Sequence, residues 1–128
     1  MTIPRTLLAA SCAATLAFGS VAQAHPRLVS TSPSANATVM HANKIQLSFS
    51  EKLIGPMTAA DVSMSGMLGM ADHRSMPVTG FTSALGADGK SLTLTSKKPL
   101  MAGSYKVAWH AVSVDTHRVK GSFTFNVK

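Results

Sequence analysis

The segment Lys44-Ile45-Gln46-Leu47-Ser48-Phe49-Ser50 decides the fold class. Successive side chains of an extended chain point to opposite sides. Ile45, Leu47 and Phe49 therefore share one face, and Lys44, Gln46 and Ser48 the other. That period of two predicts a strand with one buried and one wet face. The alternation recurs toward the C-terminus. Ser91 to Ser96 carries Leu92 and Leu94 on one side, and Tyr105, Val107, Trp109 and Ala111 form an inward face in the next strand. Phe123, Phe125 and Val127 do the same in the last. Between these runs, Ser32-Pro33-Ser34, Gly86-Ala87-Asp88-Gly89 and Pro99-Leu100-Met101-Ala102-Gly103 have turn chemistry. No stretch has helical periodicity. Short strands at this spacing predict an all-β domain, a small sandwich or Greek-key barrel.

The N-terminus reads as a leader. Arg5 supplies the positive charge, Leu7 to Phe18 an apolar run, and Ala22-Gln23-Ala24 a small-residue cleavage site. The apolar run is shorter than the roughly 20 residues that span a membrane, and no later stretch is long enough. The expected organisation is a cleaved signal peptide, residues 1–24, and one exported domain, residues 25–128, that begins at His25. The single cysteine, Cys12, lies in the leader, so the exported domain has neither disulfide nor thiolate. The net charge of +7 comes from scattered Lys and Arg, with few aromatics. Nothing forms a nucleic-acid patch, and the basic balance serves solubility, with weak attraction to acidic partners.

One stretch does not fit a strand pattern: Met64-Ser65-Gly66-Met67-Leu68-Gly69-Met70-Ala71-Asp72-His73-Arg74-Ser75-Met76. Thioethers or imidazole recur at every third residue. Met at such spacing is most often core packing, because its flexible chain fills gaps. Gly66 and Gly69 each cost a helix about 1 kcal/mol relative to Ala, and Pro77 follows directly. The reading that survives is a Gly-punctuated loop whose soft sulfurs select Cu(I); an adaptable Met-rich protein-binding surface is the alternative.

Harder donors lie elsewhere. As a first residue, His25 offers an α-amine and an imidazole to one metal, and Pro26 has no amide N–H to extend the chelate. Asp115-Thr116-His117 puts a carboxylate and an imidazole two residues apart, on one side of an extended segment. Glu51 follows the strand that ends at Ser50. Nitrogen and carboxylate donors suit Cu(II). Each alone has an ordinary reading: an Asp-x-His is usually a turn and Glu51 a solvated strand end. His41 and His110 are expected to have no metal role, and Asp61, Asp72 and Asp88 to be surface or turn residues.

His25-Pro26-Arg27-Leu28-Val29-Ser30, Leu47-Ser48-Phe49-Ser50-Glu51, the Met stretch, and Gly103-Ser104-Tyr105-Lys106-Val107 through Trp109 to Asp115-Thr116-His117 resemble, in matching order, the CopC family of periplasmic copper-resistance proteins. The resemblance covers essentially all of residues 25–128. It implies a Greek-key barrel or sandwich, cupredoxin-like or immunoglobulin-like, that carries copper and is no enzyme. It implies a Cu(II) site from His25, Asp115 and His117, with Glu51 as ligand or neighbour. It implies a Cu(I) site from Met64, Met67, Met70, His73 and Met76. Here Ala71 and Asp72 both separate Met70 from His73, one residue more than the family's loop usually has. The implied partners are copper ions, with a copper-transport membrane protein or another periplasmic copper protein as exchange partner. An alternative use of an N-terminal copper-binding His is a copper monooxygenase, but those chains are generally larger and present a flat substrate surface. Asp115 would also occupy a position that oxygen chemistry needs open.

Overall fold

The computed structural model describes residues 25–66 and 75–128. The expected leader and the donors Met67, Met70 and His73 lie outside the described residues. The elements run β1 (Leu28–Ser32), β2 (Thr38–Val39), β3 (Lys44–Phe49), a 3₁₀ turn (Gly55–Met57), β4 (Ala59–Gly66), β5 (Met76–Pro77), β6 (Phe81–Leu85), β7 (Ser91–Ser96), β8 (Gly103–Val112) and β9 (Arg118–Val127). They make two sheets, β1-β3-β7-β6 and β2-β9-β8-β4-β5. Neighbours pair antiparallel except β2, which lies parallel to β9. The chain crosses between the sheets repeatedly, so β3 pairs with β7, and β4 with β8. This all-β sandwich agrees with the expectation from sequence.

The apolar faces meet between the sheets. Ile45, Leu47 and Phe49 of β3 and Leu92 and Leu94 of β7 pack in one cluster with Tyr105, Val107 and Ala111 of β8 and Phe123, Phe125 and Val127 of β9, all buried. Removing each large aliphatic or Phe side chain from water contributes about 1.5–3 kcal/mol, against the ordering entropy of the same residues. Trp109 is half-buried, its ring edge-on to Phe49 with centroids 5.1 Å apart. His110 of β8 is exposed, and His41, Asp61 and Asp88 are exposed as well.

The Met stretch departs from its reading as a loop throughout. Its first residues, Met64 to Gly66, complete β4, and Met76 begins β5. Met64 and Met76 are directly opposed partners in that pairing. Met64 is half-buried against the core, whereas Met76 is 60% exposed.

Candidate metal centres

The first centre gathers residues from both termini of the domain. Pro26 is fully buried, and the chain beside it is tied to the end of β3. The Arg27 amide donates to Ser50 Oγ and the Ser50 amide to the Arg27 carbonyl, each at 2.9 Å. Two residues on, the Val114 amide donates to the Lys52 carbonyl at 3.0 Å, and Leu53 bridges Ser113. Glu51, half-buried, therefore sits on the short span between the chain bearing His25 and the loop bearing Asp115 and His117.

That loop, residues 113–117, joins β8 to β9 beyond their last pair, Val112 and Arg118. The Ser113 amide donates to the His117 carbonyl at 3.0 Å and the Thr116 amide to the Ser113 carbonyl at 2.8 Å. Thr116 takes φ +72°, in the left-handed region that a β-branched residue rarely enters. Asp115 and His117 thus come together through a tight turn, not through the period of an extended segment. His117 Nδ1 lies 3.2 Å from Asp115 Oδ2, and the Ser113 hydroxyl donates to Asp115 Oδ1. The Ser113 hydroxyl holds the Asp115 carboxyl below the usual carboxylate range; burial opposes this, and His117 adds to the lowering. With Nδ1 turned to the Asp115 carboxylate, His117 has Nε2 left for a metal, the usual way a carboxylate orients a ligating imidazole. The His25 ring stands edge-on to the His117 ring, centroids 4.4 Å apart and planes at 73°. Among the described residues no three His, Cys, Asp or Glu side chains converge as a finished metal group, so closing this set around an ion requires its exposed side chains to turn.

The second centre is at the other end of β8. Met64 opposes both Met76 on β5 and Tyr105 on β8. Its thioether covers Gly103, where an added Cβ would lie 3.5 Å from Met64 Cε and 3.8 Å from Sδ, and only 2.8 Å from the Gly66 carbonyl. The Tyr105 hydroxyl donates to the Met101 carbonyl at 2.5 Å. Burial pushes the Tyr105 phenol up from its ordinary value.

The CopC domain family model matches residues 28–128. The chain belongs to the CopC family. It is 48% identical over 107 residues to Copper resistance protein C of Escherichia coli, covering 84% of each chain. Against Copper resistance protein C of Pseudomonas syringae pv. tomato it is 42% identical over 128 residues, the full length of both. The crystal structure of PcoC, a methionine-rich copper resistance protein from Escherichia coli, superposes with a TM-score of 0.74 at 46% identity, covering 82% of this chain and all of that one. The structure of CopC from Methylosinus trichosporium OB3b gives 0.67 at 28% identity, with 81% and 94% covered.

In this CopC chain the structure brings His25, Asp115 and His117 together, with Glu51 on the adjoining span. It pairs Met64 with Met76, while Met67, Met70 and His73 fall outside the described residues. Reading the sequence missed Ser113, whose hydroxyl engages the Asp115 carboxylate. A Ser two residues before an Asp-x-His is a signal, because Ser commonly bonds to near neighbours in turns, but it is a faint one.

Proposed function

We propose that the chain is a periplasmic copper carrier with two chemically distinct sites. Cu(II) is held by His25 and His117, with Asp115 orienting or joining them and Glu51 beside them. Cu(I) is held among Met64, Met67, Met70, His73 and Met76. The observation that carries the reading is the meeting of His25 and His117, 92 residues apart in sequence, at ring contact beside Asp115. The opposed Met64 and Met76 support the Cu(I) half, since β4 and β5 bring the first and last sulfurs of the stretch together. The relatives' names as copper resistance proteins support copper as the cargo. Ligand softness separates the sites, so a change in oxidation state changes which one copper prefers. The exchange partner is a copper-transport membrane protein or another periplasmic copper protein. No turnover is assigned, and reductant-dependent oxygen consumption by the copper-loaded protein would overturn the carrier reading.

The decisive experiment uses the terminus. A free α-amine has a pKa of roughly 7.7–8.0, low enough for copper to displace its proton near neutral pH. An extra residue before His25 converts that nitrogen to an amide and removes the neutral chelate. Protein starting at His25 should bind Cu(II) far more tightly than protein with one added Met, with a different electron paramagnetic resonance spectrum. Equal affinities and spectra would exclude the amine as a ligand.

A further inference from the structure

Met101 stands outside the Met stretch, in the turn between β7 and β8, and is 64% exposed. A thioether so placed contributes little to the core. We propose that Met101 is an additional Cu(I) donor, forming with Met64 and Met76 a three-thioether site in the groove at the β4–β5–β8 end of the sandwich. The proposal rests on the Cu(I) half of the carrier reading and adds a donor to it.

The three methionines line one open groove of about 360 Å³, together with Pro77, Leu100 and Tyr105. Directly opposed residues of an antiparallel pair put their side chains on the same face. Met64 therefore shares a face with Met76 across one edge and with Tyr105 across the other. Tyr105 points inward, fully buried, and its hydroxyl reaches the Met101 carbonyl, which ties the backbone of the turn to that same face. Gly103 completes the arrangement. Its missing side chain lets the Met64 thioether lie over the backbone two residues from Met101. Three rotatable bonds let each Met bring its sulfur toward a common centre. The Met64 and Met76 backbones are paired, and the Met101 carbonyl is hydrogen-bonded to Tyr105.

The chemistry of the groove selects a soft monovalent ion. Thioethers are neutral, and among the described residues that line the groove there is no carboxylate to compensate the second charge of a divalent ion, while soft sulfur favours Cu(I). Lys98 also lines the groove. Its charge disfavours a divalent ion more than a monovalent one, and its long stem lets the ammonium stay in water. No electron moves in the binding step: the ion enters as Cu(I) and three sulfur lone pairs replace its former ligands.

The test uses the mature chain starting at His25, its Met101→Leu variant, and a Met64→Leu/Met76→Leu variant. Leu keeps the volume and removes the sulfur. Cu(I) affinity is read under reductant against a colorimetric Cu(I) chelator, and ¹³C-methyl methionine spectra are recorded with Ag(I), a redox-inert soft monovalent probe. Met101→Leu should weaken Cu(I) binding about tenfold with an unchanged melting temperature. The Met101 methyl, assigned by its absence in the variant, should shift with those of Met64 and Met76. If Met64 and Met76 shift while Met101 stays in place, or if Met101→Leu binds Cu(I) within twofold of the parent, Met101 is not a donor although the Met stretch is. If the parent itself binds no Cu(I), the Cu(I) half of the carrier reading fails and this inference fails with it.

Discussion

At the scale of single residues, two carboxylates are kept ionised by local donors. Asp88 is held below the ordinary range chiefly by the Lys90 amide, at 2.9 Å, with the Ser91 hydroxyl adding to it against the opposing effect of burial. Asp115 is held down chiefly by the Ser113 hydroxyl. A carboxyl whose pKa drops on folding binds fewer protons in the native chain than in the unfolded one. Its stabilisation is complete above the unfolded value and is lost as pH falls through the depressed native value. Melting temperature followed from about pH 5 to about pH 2 should therefore fall less steeply in Asp88→Asn than in the parent; parallel curves would show that Asp88 does not contribute. At the proposed Cu(II) centre, Ser113→Ala should raise the Asp115 pKa, read by carboxyl NMR titration. It should also weaken Cu(II) binding by about 10–100-fold, the usual cost of losing an outer partner of a ligand. Donor type and spacing mark Asp115 and His117 only as candidates, since an Asp-x-His is usually a turn, and the family resemblance is what joins them to a Cu(II) set. Their mutual approach was not legible, because it depends on Thr116 adopting a backbone conformation that its own side chain disfavours.

At the scale of elements, legibility followed how many alternating residues each strand buries. β3, β7, β8 and β9 have paired neighbours on both sides, and each alternates apolar and polar residues cleanly enough to be read. β1 and β6 are edge strands, and their Leu-Val-Ser-Thr-Ser and Phe-Thr-Ser-Ala-Leu sequences bury no residue fully, so they lack that signal. β4 is paired on both sides but carries a single buried residue, Val62, so no apolar alternation offset the Gly66, Gly69 and Pro77 signals that made the Met stretch read as loop. Trp109 and Gly121 show how β8 and β9 fit. They are directly opposed, and a Cβ on Gly121 would stand 2.6 Å from Trp109 Cζ2. The indole ring lies across the glycine, braced from the other sheet by Phe49. Gly121→Ala must push the ring aside. The expected cost is about 1–3 kcal/mol, typical of overpacking, with a shift in Trp109 fluorescence as the ring tilts. A variant with parental stability and emission would mean that the ring moves away freely and is not held by Phe49.

At the scale of the whole molecule, β8 sets the relation between the two centres. Gly103, beneath the Met64 thioether, is its first residue, and Val112, its last, leads directly into Ser113 and Asp115. Ten residues of strand at about 3.3 Å each put the ends roughly 30 Å apart. At that distance a divalent and a monovalent ion repel through water by only about 0.3 kcal/mol before screening. Physiological salt, with a Debye length near 8 Å, removes most of that. Direct electrostatics therefore cannot couple the sites, and coupling would require β8 or its neighbours to shift as a unit. The paired register along β4, β8 and β9 and the packed core behind it oppose such a shift, which would have to break that pairing and packing. The two ends should bind independently. Titration of the methionine end with Ag(I), in protein starting at His25 with and without Cu(II) loaded at the proposed His25/His117 site, should give affinities that agree within about twofold, since 1.4 kcal/mol corresponds to tenfold. A difference of tenfold or more would show that the sandwich transmits a structural change along β8. Independence has a consequence for transport. On the proposed two-site reading, independent ends mean that copper changing oxidation state would leave one end and be recaptured at the other, where a different partner could meet it.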